Sequence, residues 1–234
     1  MSGPVQPAVA PLHPLLTQSL FVAGTDTGVG KTWVATRLLQ ALGAAGYRAA
    51  GMKPVAAGAE MTSHGLRNDD ALELAAAGNV RLPYHLTNPL CLPDATSPHL
   101  AAHRARMPID VAAIRAAYDE IRCVTDVIIA EGAGGWHAPI GEPARAGERG
   151  PTMQEVALAL QLPVVLVVGV KLGCLNHALL SADAIRRSGL PLLGWIANQA
   201  AADFADAHSY CESLQLRLPE PMLWSAPRVI LPGQ

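Results

Sequence analysis

Aromatic residues are scarce in this chain of 234 residues, where phenylalanine, tryptophan and tyrosine together make up only 4%. Half of the residues are nevertheless hydrophobic, so the core has to be built mainly from alanine, valine, leucine and isoleucine. That composition is typical of a parallel sheet covered by helices on both faces. Charged residues make up 15%, which favours a folded chain over a disordered one.

The sequence also lacks an excess of charge, paired cysteines and long apolar runs. The formal net charge is −2 and there is no run of lysine and arginine, so we expect no nucleic acid partner. No uninterrupted apolar stretch is long enough to span a bilayer, so we expect no membrane partner. The cysteines are far apart, which favours reduced thiols in the cytoplasm over a disulfide framework or a zinc site; they are Cys91, Cys123, Cys174 and Cys211.

Proline interrupts the first nineteen residues, which carry no positive segment of the kind that begins a signal peptide. We therefore predict a flexible N-terminal extension over residues 1–19 and a single domain over residues 20–234.

Five apolar runs alternate with segments of helical periodicity along that domain. The runs predict strands at 20–26, 49–57, 126–133, 163–170 and 192–198, and the other segments predict helices at 32–42, 110–122, 153–160, 175–188 and 203–214. A shorter helix should begin near Asn68 or Asp69. Strands that alternate with helices imply a doubly wound, mainly parallel α/β sheet flanked by helices.

The stretch "FVAGTDTGVGKTW" joins the first predicted strand to the first predicted helix through a glycine-rich loop. Glycines let backbone N–H groups turn around an anion, a lysine neutralises it, and a threonine hydroxyl reaches Mg²⁺. Gly28, Gly30, Lys31 and Thr32 fit this P-loop pattern, although its first glycine is at Gly24, one position earlier than the usual spacing requires. A tight turn with an exposed lysine is the alternative.

Charged residues also follow the second and third predicted strands, at the sheet edge where open α/β folds bind ligands. Lys53 in "GMKPVAAG" should present a fixed positive charge to the same pocket, the alternative being a solvated lysine. Thr32, Asp70 and Glu131 offer hard oxygen ligands for Mg²⁺, and Asp69 is the rival to Asp70. By contrast, His99 and His103 lack the glutamate of a zinc protease motif, so we expect a surface or packing role for them.

Seven short motifs occur together here in the same order and at similar spacing as in the dethiobiotin synthetase family, which this chain resembles from about residue 21 to residue 198. They are "GTDTGVGKT", "KPVAAG", "RNDDA", "TSPH", "EGAGGW", "VVGVKLGCLNHALLS" and "GWIAN". The resemblance implies a P-loop NTPase-like fold, a homodimer with the active site at its interface, and a cytoplasmic ligase of biotin biosynthesis. Such an enzyme closes the ureido ring of dethiobiotin from 7,8-diaminononanoate, CO₂ and ATP with Mg²⁺, through a carbamate and a carbamic-phosphoric anhydride.

The same resemblance assigns site residues. It implies catalytic roles for Lys53, Lys31 and Thr27. It implies nucleotide binding by Thr27, Gly28, Val29, Gly30, Lys31, Thr32, Trp33 and Asn198. It implies substrate binding by Lys53, Glu131, Cys174, Leu175, Asn176 and Tyr210, where the helix start at 174–176 anchors the far carboxylate of a substrate held by the other subunit.

Two departures from the family pattern affect the site. Ala57 stands where the family often has serine, which removes a hydroxyl near the substrate, and Gln199 follows Asn198 where aspartate is common. The loop 137–152 and the chain after about residue 200 also diverge, and since those parts usually close over the base, the base preference is the least determined property. Two rivals share a related loop: a partitioning-type switch ATPase, whose signature lysine is replaced here by Asp26, and a cobyrinate-type amidating enzyme, whose glutaminase domain finds no room in this chain.

Overall fold

The computed structural model describes residues 12–199 and 204–226. These residues form ten strands: β1 (Leu20–Gly24), β2 (Ala49–Met52), β3 (Val55–Ala57), β4 (Glu60–Thr62), β5 (Gly65–Arg67), β6 (Leu90–Leu92), β7 (Val127–Glu131), β8 (Val164–Gly169), β9 (Leu192–Asn198) and β10 (Met222–Ala226). They also form eight helices: α1 (Lys31–Ala44), α2 (Asp69–Ala77), α3 (Tyr84–Thr87), α4 (Pro98–Ala105), α5 (Val111–Arg122), α6 (Met153–Leu160), α7 (Cys174–Arg187) and α8 (Ala207–Gln215).

The central sheet has six strands in the order β10-β9-β8-β1-β7-β2, and every neighbouring pair is parallel. Successive side chains of a strand point to opposite faces. Accordingly, Phe21 and Ala23 of β1 belong to the hydrophobic core on one face, and Leu20 and Val22 belong to the core on the other. The prediction of a doubly wound parallel sheet is confirmed.

The position of β1 inside the sheet brings the functional segments together. β7 pairs with β1 on one side and with β2 on the other, so the carboxyl ends of these three strands are adjacent. The chain leaves β1 into the glycine-rich loop, leaves β2 at Lys53, and ends β7 at Glu131. This is the edge at which open α/β sheets bind ligands.

One predicted strand is wrong in its extent. The run 49–57 is divided, because β2 ends at Met52 and β3 pairs with β6 in a separate two-stranded sheet. Pro54 lies at the break and has no N–H to donate, so a regular ladder cannot continue through it. The Lys53 N–H instead donates to the carbonyl of Thr87, at 2.7 Å.

The helices agree closely with the predicted segments, and the sequence missed only short elements. Helix α6 has the predicted bounds, and the Asn68 side chain caps α2 by accepting a hydrogen bond from the Ala71 N–H at 3.3 Å. Strands β3 to β6 and β10 were not predicted as such; β3 to β6 have only three residues each, which is too short for a clear period. The predicted start of the last helix at residue 203 lies outside the described residues.

The chain before β1 already contacts the core. A short 3-10 helix, Pro14–Leu16, places Leu16 in the interior with 1% of its surface exposed, so packed residues begin earlier than the predicted boundary at residue 19. Residues 1–11 of the predicted extension lie outside the described part. Across the described residues, no helix has the length and apolar character needed to cross a membrane.

Candidate active site

The glycine-rich loop runs from the end of β1 to the start of α1 and is tightly packed at both ends. A Cβ atom at Gly24 would lie 2.8 Å from Cγ2 of Val29 and 2.9 Å from Cδ of Lys31, so only glycine fits there. Gly30 caps α1 with φ of 85°, a left-handed conformation that glycine adopts without strain. No side chain caps this helix, so its first N–H groups remain available to an anion.

Lys31, the first residue of α1, folds back over the loop. Its Nζ donates to the backbone carbonyl of Asp26 at 2.8 Å, and only 6% of the residue is exposed. Burial lowers the pKa of Lys31 from 10.5 to about 8, with the nearby charge of Lys53 acting in the same direction. A phosphate group at this position would supply the counter-charge that the ammonium lacks.

Lys53 is buried at the centre of a cluster whose members come from four separate segments of the chain. Its Nζ is 2.7 Å from Oδ2 of Asp70 and 2.6 Å from Oε1 of Glu131, and the Thr32 hydroxyl donates to the same Glu131 oxygen at 2.9 Å. Lys53 is 4% exposed and Glu131 is 1% exposed. Asp70 reaches this cluster from the first turn of α2, whereas its rival Asp69 is exposed to solvent.

Burial and ion pairing oppose each other in this cluster. Burial alone would lower the pKa of Lys53, but Glu131 and Asp70 outweigh it and raise that pKa above 10.5. Burial likewise favours the neutral form of Asp70, yet Lys53 holds the pKa of Asp70 below its ordinary value. Glu131 is so deeply buried that its pKa is raised despite Lys53, and Asp70 adds to that rise.

The second oxygen of Glu131 could accept a ligand. Oε2 is buried and has no hydrogen-bond partner among the described residues, which is costly for a carboxylate. Together with the Thr32 hydroxyl and the Asp70 carboxylate it offers the hard oxygen donors that Mg²⁺ prefers. No group of three or more His, Cys, Asp or Glu side chains suited to a metal occurs in the described ranges. Phosphate oxygens and water would therefore have to complete the octahedral coordination of a Mg²⁺ ion held by Thr32, Asp70 and Glu131.

A cavity of about 820 Å³ opens above the glycine-rich loop and contains most of the predicted phosphate and metal residues. Of the predicted site residues, its walls include Thr27, Gly28, Gly30, Lys31, Thr32, Lys53, Asp70 and Glu131. Ala57, the departure noted in the sequence, also lines it. Ser97 lines it as well, and sequence reasoning gave Ser97 no role although it belongs to the quoted "TSPH" motif. The size suits a nucleotide tail together with a small substrate.

Comparison with known proteins shows the family of this chain. A family profile described as an AAA domain matches residues 18–225. The chain is 42% identical over 212 residues to the ATP-dependent dethiobiotin synthetase BioD of Pseudescherichia vulneris, covering 91% of this chain and 85% of that protein. It is 42% identical to the BioD 1 protein of Escherichia coli K12, covering 91% of each, and 44% identical over 203 residues to BioD of Xanthomonas axonopodis, covering 87% and 88%.

The chain belongs to the ATP-dependent dethiobiotin synthetase family.

Solved structures similar to this dethiobiotin synthetase family member support the P-loop fold alone. The MinC:MinD complex of Aquifex aeolicus matches with a TM-score of 0.55 and 15% identity, covering 91% of this chain and 82% of that chain. A ParA family ATPase of Chlorobium tepidum matches with a TM-score of 0.53 and 13% identity, covering 91% and 86%. A partitioning-type ATPase was one of the rival predictions. At such low sequence identity, the similarity shows a shared fold and not a shared activity.

Three residues predicted to bind nucleotide in this dethiobiotin synthetase family member lie outside the cavity wall: Val29, Trp33 and Asn198. Asn198 lies at the end of β9. Its side-chain N–H donates to the Val29 carbonyl at 2.8 Å and so fixes the backbone of the glycine-rich loop. The Trp33 ring stacks on Trp224 of β10, with ring centroids 5.3 Å apart. Val29 is 2% exposed, so it can meet a ligand only through its backbone.

The residues predicted to anchor the substrate carboxylate also lie apart from the cavity of their own chain. Gly173 caps α7 in a left-handed conformation without a side-chain bond, Cys174 is buried, and Asn176 is exposed on the first turn. Tyr210 on α8 packs edge-on against Phe204, with ring centroids 4.8 Å apart. Leu175 is half-buried and, like the others, does not line the cavity.

Proposed function

We propose that this chain closes the ureido ring of dethiobiotin from 7,8-diaminononanoate, CO₂ and ATP. The observation that carries the proposal is the convergence of Lys31, the first residue of α1, and Lys53, the residue after β2, on one cavity above a glycine-rich loop. Membership of the dethiobiotin synthetase family supplies the substrate class.

The reaction divides into three steps that this arrangement can assist. CO₂ first forms a carbamate on one amine of the substrate, with loss of a proton. A carbamate oxygen then attacks the γ-phosphate, and ADP leaves. The neighbouring amine finally attacks the carbonyl carbon of the carbamic-phosphoric anhydride, and phosphate departs as the ring closes. Holding both nitrogens next to one carbonyl gives this last step a high effective molarity.

Fixed positive charge is the main contribution of the two lysines. Phosphoryl transfer spreads negative charge over the γ-phosphate oxygens, so preorganised cations in a partly dry site stabilise the transition state. Lys31 would contact the terminal phosphates from the loop side. Lys53, held by Glu131 and Asp70, would face the carbamate and the transferred phosphoryl group.

The loop backbone at residues 27–30 would cradle the phosphates, and the Thr27 hydroxyl would contact the carbamate. Mg²⁺, when bound, would neutralise phosphate charge, and Thr32, Asp70 and Glu131 would hold it. The orphaned Oε2 of Glu131 supports this assignment because a buried carboxylate oxygen requires a cation or a donor.

The far carboxylate of the substrate needs an anchor that the chain's own cavity wall does not include. We propose that the first turn of α7 supplies it across a homodimer interface, through Cys174, Leu175, Asn176 and, from α8, Tyr210. The uncapped start of α7 favours an anion, and Asn176 is exposed to reach one. Asn198 and Trp33 remain the proposed residues on the nucleotide side. We also propose a cytoplasmic location, which agrees with the four free cysteines.

The test is incubation with ¹³C-labelled bicarbonate, 7,8-diaminononanoate, Mg²⁺ and, in separate reactions, ATP, GTP, CTP or UTP, followed by mass analysis. A product carrying one labelled carbon in the ring is expected with ATP, and phosphate release should require both diamine and bicarbonate. If no nucleotide yields a labelled product, the proposal is wrong. Slow phosphate release that ignores the diamine would favour the switch ATPase instead.

A further inference from the structure

Ser97 occupies the N-cap position of α4, yet its hydroxyl does not cap the helix. Serine is among the preferred N-cap residues because its side-chain oxygen normally accepts a hydrogen bond from an N–H of the first turn. Here no such side-chain bond is formed, and Oγ of Ser97 lies 2.9 Å from Nδ1 of His99 instead.

The donor that would have completed the cap is also used elsewhere. The backbone N–H of His99 donates to the carbonyl of Pro139 at 3.3 Å, and Pro98 has no N–H to offer. The helix begins through the Ser97 carbonyl, which accepts from the N–H groups of Leu100 and Ala101 at 3.0 Å each. The Ser97 hydroxyl therefore does not cap α4, and its contact with the His99 imidazole fixes the direction of the hydroxyl.

Ser97 lines the main cavity, whereas His99 does not line it. With Nδ1 as the acceptor, the Ser97 hydroxyl donates its hydrogen to the imidazole and keeps both oxygen lone pairs for a ligand. An N–H group of the ligand is the complementary partner for such an oxygen.

The charge distribution of the cavity indicates which part of the substrate meets Ser97. Lys31 and Lys53 line the cavity and attract the phosphate and carbamate oxygens, so an amine needs a different wall group that can accept a hydrogen bond. Asn68 is engaged, because its side chain caps α2 and donates to the Ala57 carbonyl at 3.4 Å. Asp26 accepts from the Thr27 N–H at 2.7 Å and lies within 3.9 Å of Lys171.

We propose that the Ser97 hydroxyl binds an amine of the diamine substrate and that His99 is the positioning residue which aims it. This inference rests on the proposed function, since it concerns the amine side of the same site. His99 acts only through Ser97, by accepting its hydrogen and holding the lone pairs toward the cavity. The sequence had indicated no more than a surface or packing role for this histidine.

The test compares kcat/KM for the diamine and KM for ATP in four variants. Ser97→Ala and His99→Leu should each lower kcat/KM for the diamine by about 10- to 100-fold, the range for loss of a buried hydrogen bond to a substrate, with KM for ATP within about twofold of wild type. His99→Asn should recover most of the loss, because its amide oxygen stands near the position of Nδ1. The double variant Ser97→Ala/His99→Leu should be no worse than Ser97→Ala alone.

His103→Leu is the matched control, since His103 lies one turn further along α4 and lines the same neighbouring cavity as His99, whereas the Ser97 hydroxyl contacts His99. It should leave kcat/KM for the diamine unchanged, and thermal midpoints check that each variant is folded. An unchanged kcat/KM in Ser97→Ala, a loss in His99→Leu that persists in the Ser97→Ala background, or no recovery in His99→Asn would overturn the inference. If the wild-type protein forms no dethiobiotin, the proposed function fails first, and the two failures are thus distinguished.

Discussion

The pKa of Lys31 makes nucleotide binding depend on pH in a way that the structure specifies. In the free protein, burial and the nearby Lys53 lower this pKa to about 8. This lowering from 10.5 means that the folded protein destabilises the charged form of Lys31 by about 3 kcal/mol, at about 1.4 kcal/mol for each pKa unit. A bound phosphate restores the counter-charge, so the pKa of Lys31 in the complex must be higher.

The sign of the effect follows from proton linkage. Folded Lys31 holds fewer protons than unfolded Lys31 between pH 8 and pH 10.5, so its burial reduces the free energy of unfolding at neutral pH and ceases to do so as the pH rises through that window. When the nucleotide binds, its phosphate raises the pKa of Lys31, and the lysine takes up a proton. From pH 7 to pH 9 the Kd for Mg-ADP should therefore rise about tenfold, and at pH 8 binding should take up about half a proton.

Isothermal titration calorimetry in two buffers of different ionisation enthalpy measures this uptake. The nucleotide's own phosphate, with a second pKa near 6, is almost fully ionised at pH 8 and adds little. In Lys31→Arg the guanidinium stays charged throughout, so the uptake at pH 8 should vanish and the Kd should be flat from pH 7 to pH 9, whatever its absolute value. Buffer-independent heats for the wild type at pH 8 would refute the reasoning.

Three further predictions concern other parts of the site. Lys53→Met should lower kcat by on the order of 10²- to 10³-fold, since it removes a preorganised cation, and should lower the free energy of unfolding by about 3–5 kcal/mol by leaving Glu131 unpaired. Adding Glu131→Gln should recover stability in denaturant titrations but not activity, and a Lys53→Met variant with wild-type turnover would remove this lysine from the mechanism. Gly24→Ala should weaken Mg-ADP binding by about tenfold or more, because the new Cβ would meet Val29 at 2.8 Å and overpacking costs about 1–3 kcal/mol; calorimetry showing unchanged affinity would contradict the packing argument. Asn176→Ala should raise KM for the diamine more than KM for ATP, and an unchanged diamine KM would count against the helix-start anchor.

The local elements of the fold could be predicted because they depend on neighbouring residues. Helix α6 has its predicted bounds, since Thr152 and Glu155 form a capping box that fixes its start. The loop after β1 was recognisable because its glycines and lysine are consecutive in the chain. The strand predicted at 49–57 failed at Pro54, where the chain leaves the central sheet and β3 finds a different partner.

The candidate site was predictable as a set of residues but not as a set of contacts. Lys53, Asp70 and Glu131 each appeared separately as charged residues beside apolar segments. The sequence left open whether Asp69 or Asp70 enters the site, and helical periodicity did not decide between two adjacent carboxylates. Ser97 received no role, and its sequence context does not distinguish it from a serine that caps a helix, so only the contact with His99 singles it out.

What the sequence by itself determined is the set of pieces: the glycine-rich loop with Lys31, the alternation of strands and helices, and the family to which the chain belongs. Only the tertiary structure decided which of these pieces contact one another. β7 lies between β1 and β2, and this order brings Glu131 to Lys53 across 78 positions of the chain. Backbone preferences and periodicity act over a few residues, whereas the order of parallel strands depends on how distant segments bury their apolar faces together.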